Sequence, residues 1–257
     1  MGIIAAIILG LLQGIAEFLP VSSSGHLLLF QYFFEIERGG MLFDIILHVA
    51  TLFAVIVVYR KRLRLLLTWK MVIATAITCI FVLLFKNLID KTFNIKFLPF
   101  AFMLTAVVLI LPSLIKKNAA SITTNHNNDG KDIPKRKKIP PEYIMGLAQG
   151  IAVVPAFSRS GFTITAGQLA GMERTEAADF SFLMSIPIIL ASLLYEIISG
   201  GGFGSIEPLP MIIGFIAAFL SGIFAIKFML TIIKKIDLRW FSLYLFALSI
   251  TLFVLFF

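Results

Sequence analysis

Between Gln13 and His26 the chain reads Gln-Gly-Ile-Ala-Glu-Phe-Leu-Pro-Val-Ser-Ser-Ser-Gly-His, placing an amide, a carboxylate, three hydroxyls and an imidazole inside an apolar region. Gln13 and Glu17 are four residues apart, so on a helix they share one face. Pro20 ends that helix, because its ring clashes with the preceding turn and its nitrogen has no hydrogen to donate. Ser22, Ser23, Ser24 and Gly25 then open a new helix, with free N–H groups and hydroxyl caps. Within a membrane, such a helix start is a cradle for anions. The serines could equally bond backbone carbonyls or hold helices together. A carboxylate and a histidine in apolar surroundings still need partners.

A second stretch, Pro155-Ala-Phe-Ser-Arg-Ser-Gly, repeats the first. Shifting the chain by 136 residues lays Gly10–Gly25 on Gly146–Gly161 without a gap, with nine of sixteen positions identical. Chance gives roughly one or two, so the chain carries an internal duplication. The copies differ where the chemistry lies: Glu17, Ser23 and His26 in one face Val153, Arg159 and Phe162 in the other. A buried arginine costs roughly 2.5–3.5 kcal/mol on insertion scales and requires an anion. Glu17 could supply it as a structural salt bridge. A phosphate is the sharper fit. Arginine presents a planar fork to its oxygens, the hydroxyls of Ser22, Ser24, Ser158, Ser160 and Thr163 add neutral donors, and His26 can move a proton. Ser23 beside a histidine and an acid is also the minimum for an activated nucleophile. Nothing has the spacing of a zinc site. Asp44 and His48, one helical turn apart, read either as a pair supporting the site or, the favoured reading, as a structural hydrogen bond, and His126 as inert.

The elements that must position these groups follow from composition. Hydrophobic residues make up 59% of 257, charged residues 14%, and mean hydropathy is +0.99, so the chain reads as an all-α polytopic membrane protein. No cleavable signal peptide is expected, since the first apolar run lacks a basic flank and carries Gln13 and Glu17. The lone Cys79 excludes an intrachain disulfide. The net charge of +8 lies in short loops between apolar runs, a pattern of membrane topology rather than of nucleic-acid binding.

Residues 3–34, broken at Pro20, are too short on each side to cross and read as a re-entrant hairpin; 141–172 read as its copy. About six transmembrane helices complete the chain, near 41–59, 66–86, 98–115, 178–198, 208–233 and 239–257. A polar, basic loop is expected over 116–140. The single domain 1–257 thus divides into repeats 1–115 and 141–257. Three spans separate the hairpins, so the second enters from the opposite side and the repeat is inverted. Arg60–Arg64, Lys116–Lys138, Lys234, Lys235 and Arg239 share one side, which the positive-inside rule makes cytoplasmic; Arg38, Lys86, Lys91 and Lys96 share the other. The hairpin tips then meet near the midplane, bringing Arg159 to Glu17, Ser23 and His26.

Gln13-x-x-x-Glu17-Phe-Leu-Pro-Val-Ser-Ser-Ser-Gly-His26 and Pro155-Ala-Phe-Ser-Arg-Ser-Gly-Phe-Thr163 resemble the two signature motifs of the undecaprenyl-diphosphate phosphatases, also called bacitracin-resistance proteins. Phe43-Asp44…His48, Phe180-Ser-Phe-Leu and the order of spans extend the resemblance over nearly the whole chain. It implies a cell-membrane enzyme with an outward-facing site that removes the terminal phosphate of a polyprenyl diphosphate, the lipid carrier of cell-wall synthesis. Carried over residue by residue, Glu17, Ser23, His26, Ser158, Arg159 and Thr163 occupy its active-site positions; Glu17, Ser23, His26 and Arg159 are expected to be catalytic, and Gln13 joins Ser158 and Thr163 as an expected substrate contact. It also implies a divalent cation, Mg²⁺ or Ca²⁺, with Glu17 as its candidate ligand. Two departures stand out: Gln13 where the family has Glu or Gln, and Ala156 where it usually has Gly. Whether Ser23 attacks or His26 activates water stays open, as does assembly into a homo-oligomer. The alternative reading is a polyprenyl-phosphate flippase, because secondary transporters also join inverted repeats at broken helices.

The charge distribution generates the first prediction. A cysteine replacing Ser121, in a Cys79→Ser background, should resist a membrane-impermeant thiol reagent in intact cells and react after permeabilisation. Ready labelling of intact cells inverts the orientation.

Overall fold

The computed structural model describes residues 1–36, 40–92, 94–123, 139–198 and 207–257. Among these the regular structure is helical. In chain order the α-helices are α1 (Ile3–Phe18), α2 (Ser23–Phe33), α3 (Gly40–Val58), α4 (Trp69–Lys91) and α5 (Leu98–Thr123), then α6 (Pro141–Ile151), α7 (Arg159–Leu169), α8 (Arg174–Ile198), α9 (Pro208–Ile232) and α10 (Arg239–Phe256). Short 3-10 turns, Leu63–Leu67 and Ile95–Phe97, lead into α4 and α5.

Five stretches are long and apolar enough to cross a membrane: Trp69–Lys86, Ile95–Ile115, Arg174–Tyr195, Pro208–Ile232 and Arg239–Phe256. The remaining expected span appears as the shorter apolar helix Leu42–Val58. The chain is a multi-pass helical membrane protein. Helix α9 illustrates why. Ile212, Ile216, Leu220 and Phe224 recur every fourth residue and are exposed, while Gly214, Ala218, Gly222 and Ala225 on the opposite stripe are buried. In water the outer stripe would be a sticky patch; in lipid it is the solvated face.

Lipid supplies no hydrophobic drive between helices, so close approach of small residues must hold them. The Gly-x-x-x-Gly of each sequence copy does this. A methyl on Gly10 would come within 2.5 Å of the Gly214 carbonyl oxygen, and one on Gly14 within 2.0 Å of Ser221 Oγ, so α1 lies directly on α9. In the second copy, a methyl on Gly146 would stand 2.6 Å from the Ala74 carbonyl oxygen, and one on Gly150 2.7 Å from Phe81 Cβ, so α6 lies on α4. Thr78 adds a hydroxyl bond to the Gly146 carbonyl at 2.9 Å. Helices α2 and α7 fold back on α1 and α6, α5 packs on α7 and α10, and α3 lies between α8 and α9. Phe18, Phe43, Phe102 and Phe182 fill the largest gaps between them.

The loop expected over 116–140 begins later than its polar composition implied. Helix α5 continues to Thr123, because propagation adds one bond per residue fixed and Lys and Ala are good helix formers. Residues 124–138, the rest of that loop, lie outside the described residues, as does Arg38.

The α1–α9 contact leaves no room for a side chain at Gly14. Gly14→Ala should destabilise the protein by about 1–3 kcal/mol, read as a lower midpoint of thermal unfolding in detergent. Gly2→Ala, where nothing lies within 4 Å, should leave the midpoint unchanged.

Candidate active site

The breaks between α1 and α2 and between α6 and α7 come together in the interior. Helix α1 ends at Phe18, before Pro20. Helix α2 opens with the Ser22 side chain accepting from the Gly25 N–H at 3.2 Å, and α7 opens with Ser158 accepting from the Gly161 N–H at 3.1 Å. The next hydroxyls join the two loops. Ser24 Oγ accepts from the Ala156 N–H at 3.2 Å, and Ser160 Oγ donates to the Leu19 carbonyl at 2.9 Å. Ser22 and Ala156 take φ values of 73° and 69°, left-handed conformations that favour glycine. Ala156 therefore carries a backbone cost of roughly 1–2 kcal/mol, which gives a physical reason for the glycine usual in the resembling motif. Thr163 turns toward α8: its hydroxyl donates to the Arg159 carbonyl at 2.8 Å and shares a 2.6 Å bond with Ser181. Ser22, Ser24, Ser158 and Ser160, expected to bind substrate oxygens, thus cap helices and join loops, with Ser22 and Ser24 acting as acceptors there, and Thr163 bonds its own helix and Ser181.

Ser23, between two of these serines, faces another way. Its Oγ donates to Glu17 Oε2 at 2.6 Å, and the same oxygen accepts from Gln13 Nε2 at 3.0 Å. The other carboxylate oxygen, Glu17 Oε1, accepts from Arg159 Nη2 at 2.6 Å. Gln13 Nε2 also lies 2.9 Å from His48 Nδ1. The Glu17 carboxylate can only accept, so this amide nitrogen donates to it, and His48 Nδ1 lies 3.6 Å from the same carboxylate oxygen. Gln13, Glu17 and Ser23 are buried, Arg159 is half-buried with its side chain 15% exposed, and His48 is the most open, its side chain 35% exposed. The centre therefore opens past His48. Among the described residues five buried polar atoms lack a partner, and two of them belong to this centre: Arg159 Nη1, a donor, and Gln13 Oε1, an acceptor; Gln149 Oε1, Thr165 Oγ1 and Gln168 Nε2 lie outside it. Unpaired groups of this kind are costly in the interior and call for a partner, water or ligand.

His26 is held separately from Ser23. Its Nδ1 lies 2.7 Å from the Ser22 carbonyl, which can only accept, so Nδ1 carries the proton. Nε2 then accepts from the Tyr244 hydroxyl at 2.7 Å, and the two rings stack at 5.8 Å between centroids. The carboxylate of Glu17, rather than the imidazole, is the base in contact with Ser23. Sequence reasoning missed Tyr244, which sits alone on an apolar span 218 residues away. It did not place His48 beside Gln13, 2.9 Å away; Asp44, its neighbour one turn earlier, receives a 3.4 Å bond from Gln31.

Residues 6–251 match the model of the family described as bacitracin resistance protein BacA. The chain belongs to the BacA family. Its relatives cover it end to end. It is 41% identical over 278 residues to undecaprenyl-diphosphatase of Treponema denticola, with 100% of this chain and 98% of that protein aligned. It is 37% identical to undecaprenyl-diphosphatase of Carboxydothermus hydrogenoformans, over 97% of this chain and 96% of the relative. Against undecaprenyl-diphosphatase of Aquifex aeolicus it is 37% identical over 93% of each. The resemblance carried by the two motifs is thus membership.

A divalent cation fits the centre only with help from a ligand. Mg²⁺ and Ca²⁺ take oxygen donors, and the centre offers the Glu17 carboxylate and the unpartnered Gln13 Oε1. Among the described residues no group of three or more His, Cys, Asp or Glu side chains gathers to hold a metal. Water and substrate oxygens must complete any such shell.

The Glu17–Arg159 pair yields a stability prediction. Glu17→Gln leaves Arg159 buried and uncompensated, and should cost about 3–5 kcal/mol, seen as a lowered unfolding midpoint in detergent. The double variant Glu17→Gln/Arg159→Gln should regain most of that loss. Equal midpoints for the wild type and Glu17→Gln exclude a stabilising role for the pair.

Proposed function

We propose that this chain is an undecaprenyl-diphosphate phosphatase, hydrolysing the lipid diphosphate to the monophosphate and inorganic phosphate and so recycling the carrier used in cell-wall synthesis. The observation that carries the reading is a buried guanidinium nitrogen, Arg159 Nη1, left without a partner beside a serine hydroxyl already bonded to a carboxylate. Full-length relatives bearing that enzyme's name support it.

The diphosphate enters past His48, and Arg159 turns its unpartnered nitrogen to the terminal phosphoryl oxygens, neutralising charge as the group transfers. Ser23 Oγ attacks the terminal phosphorus while its proton passes to Glu17 Oε2, 2.6 Å away. The bond from phosphorus to the bridging oxygen breaks, and the lipid monophosphate leaves. Water then attacks the phosphoserine; Tyr244 turns off His26 Nε2, which takes the proton of the water, while Glu17 returns its proton to Ser23 Oγ and inorganic phosphate departs. The hydroxyls of Ser22, Ser24, Ser158, Ser160 and Thr163 serve this chemistry by fixing the two loops. Glu17 and Gln13 Oε1 are the residues that would hold a divalent cation, Mg²⁺ or Ca²⁺, which would add charge neutralisation on the diphosphate.

In this reading the two halves form an inverted repeat with re-entrant hairpins α1–α2 and α6–α7, and the centre opens to the outer face of the cell membrane. The contacts of α1 with α9 and of α6 with α4 pair corresponding helices of the two sequence copies and support that arrangement. For a flippase the Ser23–Glu17 bond would be idle, which favours hydrolysis.

Purified protein should release inorganic phosphate from undecaprenyl diphosphate in detergent; binding without release sinks the hydrolase reading. With substrate labelled in the terminal phosphate, rapid quench should find label on Ser23. Ser23→Ala should then abolish label and nearly all turnover. A loss of only the 10²–10³-fold expected for one transition-state donor, with no label in the wild type, transfers the attack to water.

A further inference from the structure

A second polar cavity lies at the other end of α3 from the Glu17–Arg159 centre. Val58 and His48 sit on the same helix, roughly 15 Å apart along its axis. The cavity, of about 640 Å³, is open on one side and bordered by the residues at and following the end of α3, the start of α8 and the end of α9. Arg60, Lys61, Arg62 and Lys234 line it, against one carboxylate, Asp179. That carboxylate is already occupied: it accepts from the Tyr59 hydroxyl at 2.6 Å and from Arg62 Nη1 at 2.6 Å. Arg60, Lys61 and Lys234 make no ion pair with any carboxylate among the described residues.

Three uncompensated cations around one concavity concentrate positive potential, and low-dielectric walls focus it. Val58 and Leu230 make part of those walls apolar. The spanning stretch Pro208–Ile232 ends just before Lys234, so the cavity sits where a helix leaves the hydrocarbon and lipid phosphates lie. Tyr59, buried behind Arg62, fixes Asp179 and with it the position of one wall. A soluble anion needs only the charges. A lipid headgroup uses the charges and the apolar walls together, and basic pockets between membrane helices are known to take such headgroups.

We propose that this cavity binds the phosphate of an anionic lipid headgroup on the basic face of the membrane. It shares no residue with the catalytic centre and is independent of the phosphatase reading. Lipid occupancy there ties the ends of α3, α8 and α9 to one another at the interface, on the side opposite the opening past His48.

The test is lipid retention by full-length protein, read by native mass spectrometry after reconstitution with phosphatidylglycerol or with phosphatidylcholine. Wild-type protein should keep one phosphatidylglycerol in preference to phosphatidylcholine. The exposed side chains of Arg60, Lys61 and Lys234 can be neutralised together, as Arg60→Gln/Lys61→Gln/Lys234→Gln, without touching the Tyr59–Asp179–Arg62 contacts. Retention should fall by about 100-fold, the combined effect of three interfacial cations, while phosphate release from detergent-dispersed substrate is unchanged. Lys234→Glu alone should weaken retention in the same direction. Equal retention of the two lipids, or undiminished retention by the triple variant, overturns the proposal. Saturation by inorganic phosphate with no lipid retained also overturns it, and identifies a site for a free anion instead.

Discussion

Glu17 and Arg159 meet at 2.6 Å in the interior of a membrane protein, and neither charge is tolerable there alone. Each comes from a different half of the chain, so their pairing couples the two halves energetically. It also explains why so much backbone is bent in one place. For Arg159 to reach Glu17, helices on both sides must stop short inside the protein, exposing N–H and carbonyl groups that lipid cannot satisfy. Irregular backbone at that depth persists only where protein encloses it. The surrounding serines supply that enclosure. Ser22 and Ser158 cap the two restarted helices, while Ser24 and Ser160 reach across to the opposite loop.

The pair is also poised rather than complete. Glu17 accepts from Arg159, Ser23 and Gln13, which uses most of its lone pairs, yet Arg159 keeps one buried nitrogen without an acceptor. A purely structural bridge gains by satisfying both ends, because a half-satisfied buried network is worse than an apolar core. The imbalance is what the proposed function uses: an anion reaching this nitrogen would complete the network. Ser23 lies on the same carboxylate, so the anion arrives beside a hydroxyl whose proton already has an acceptor.

Much of this was legible in the sequence. Pro20 marked the end of α1, the Ser-Ser-Ser-Gly and Ser-Arg-Ser-Gly runs marked the starts of α2 and α7, and the 136-residue offset brought Arg159 to Glu17. The orientation of each hydroxyl was not legible. On a tight turn, consecutive serines point in different directions, and only the crossing loops decide that Ser23 meets Glu17 while its neighbours meet backbone. Tyr244 gave no signal for a similar reason. A tyrosine on a spanning helix has no fixed partner in sequence, and its bond to His26 arises from packing at long range. The end of α5 was misjudged because polarity was read as loop, whereas a helix already nucleated extends readily through Lys, Ala and Ser.

The two copies show how a duplicated frame becomes an asymmetric site. What they keep is what geometry requires: glycines where α1 and α6 press against a neighbouring helix, a capping serine, and a serine that crosses to the other loop. What they changed is the chemistry. Val153 replaces the carboxylate and Phe162 the imidazole, with Phe162 stacked on Phe157 at 5.3 Å as ordinary packing. Gln149, the counterpart of Gln13, is fully buried and bonds Thr78 at 3.3 Å instead of facing a charge. Two identical tips would place like charges in apposition, carboxylate against carboxylate, which a low-dielectric interior does not allow. One tip had to become the anion and the other the cation. That division creates a neutral pair able to exist in the membrane, and an arginine that can let part of its charge go to a phosphate.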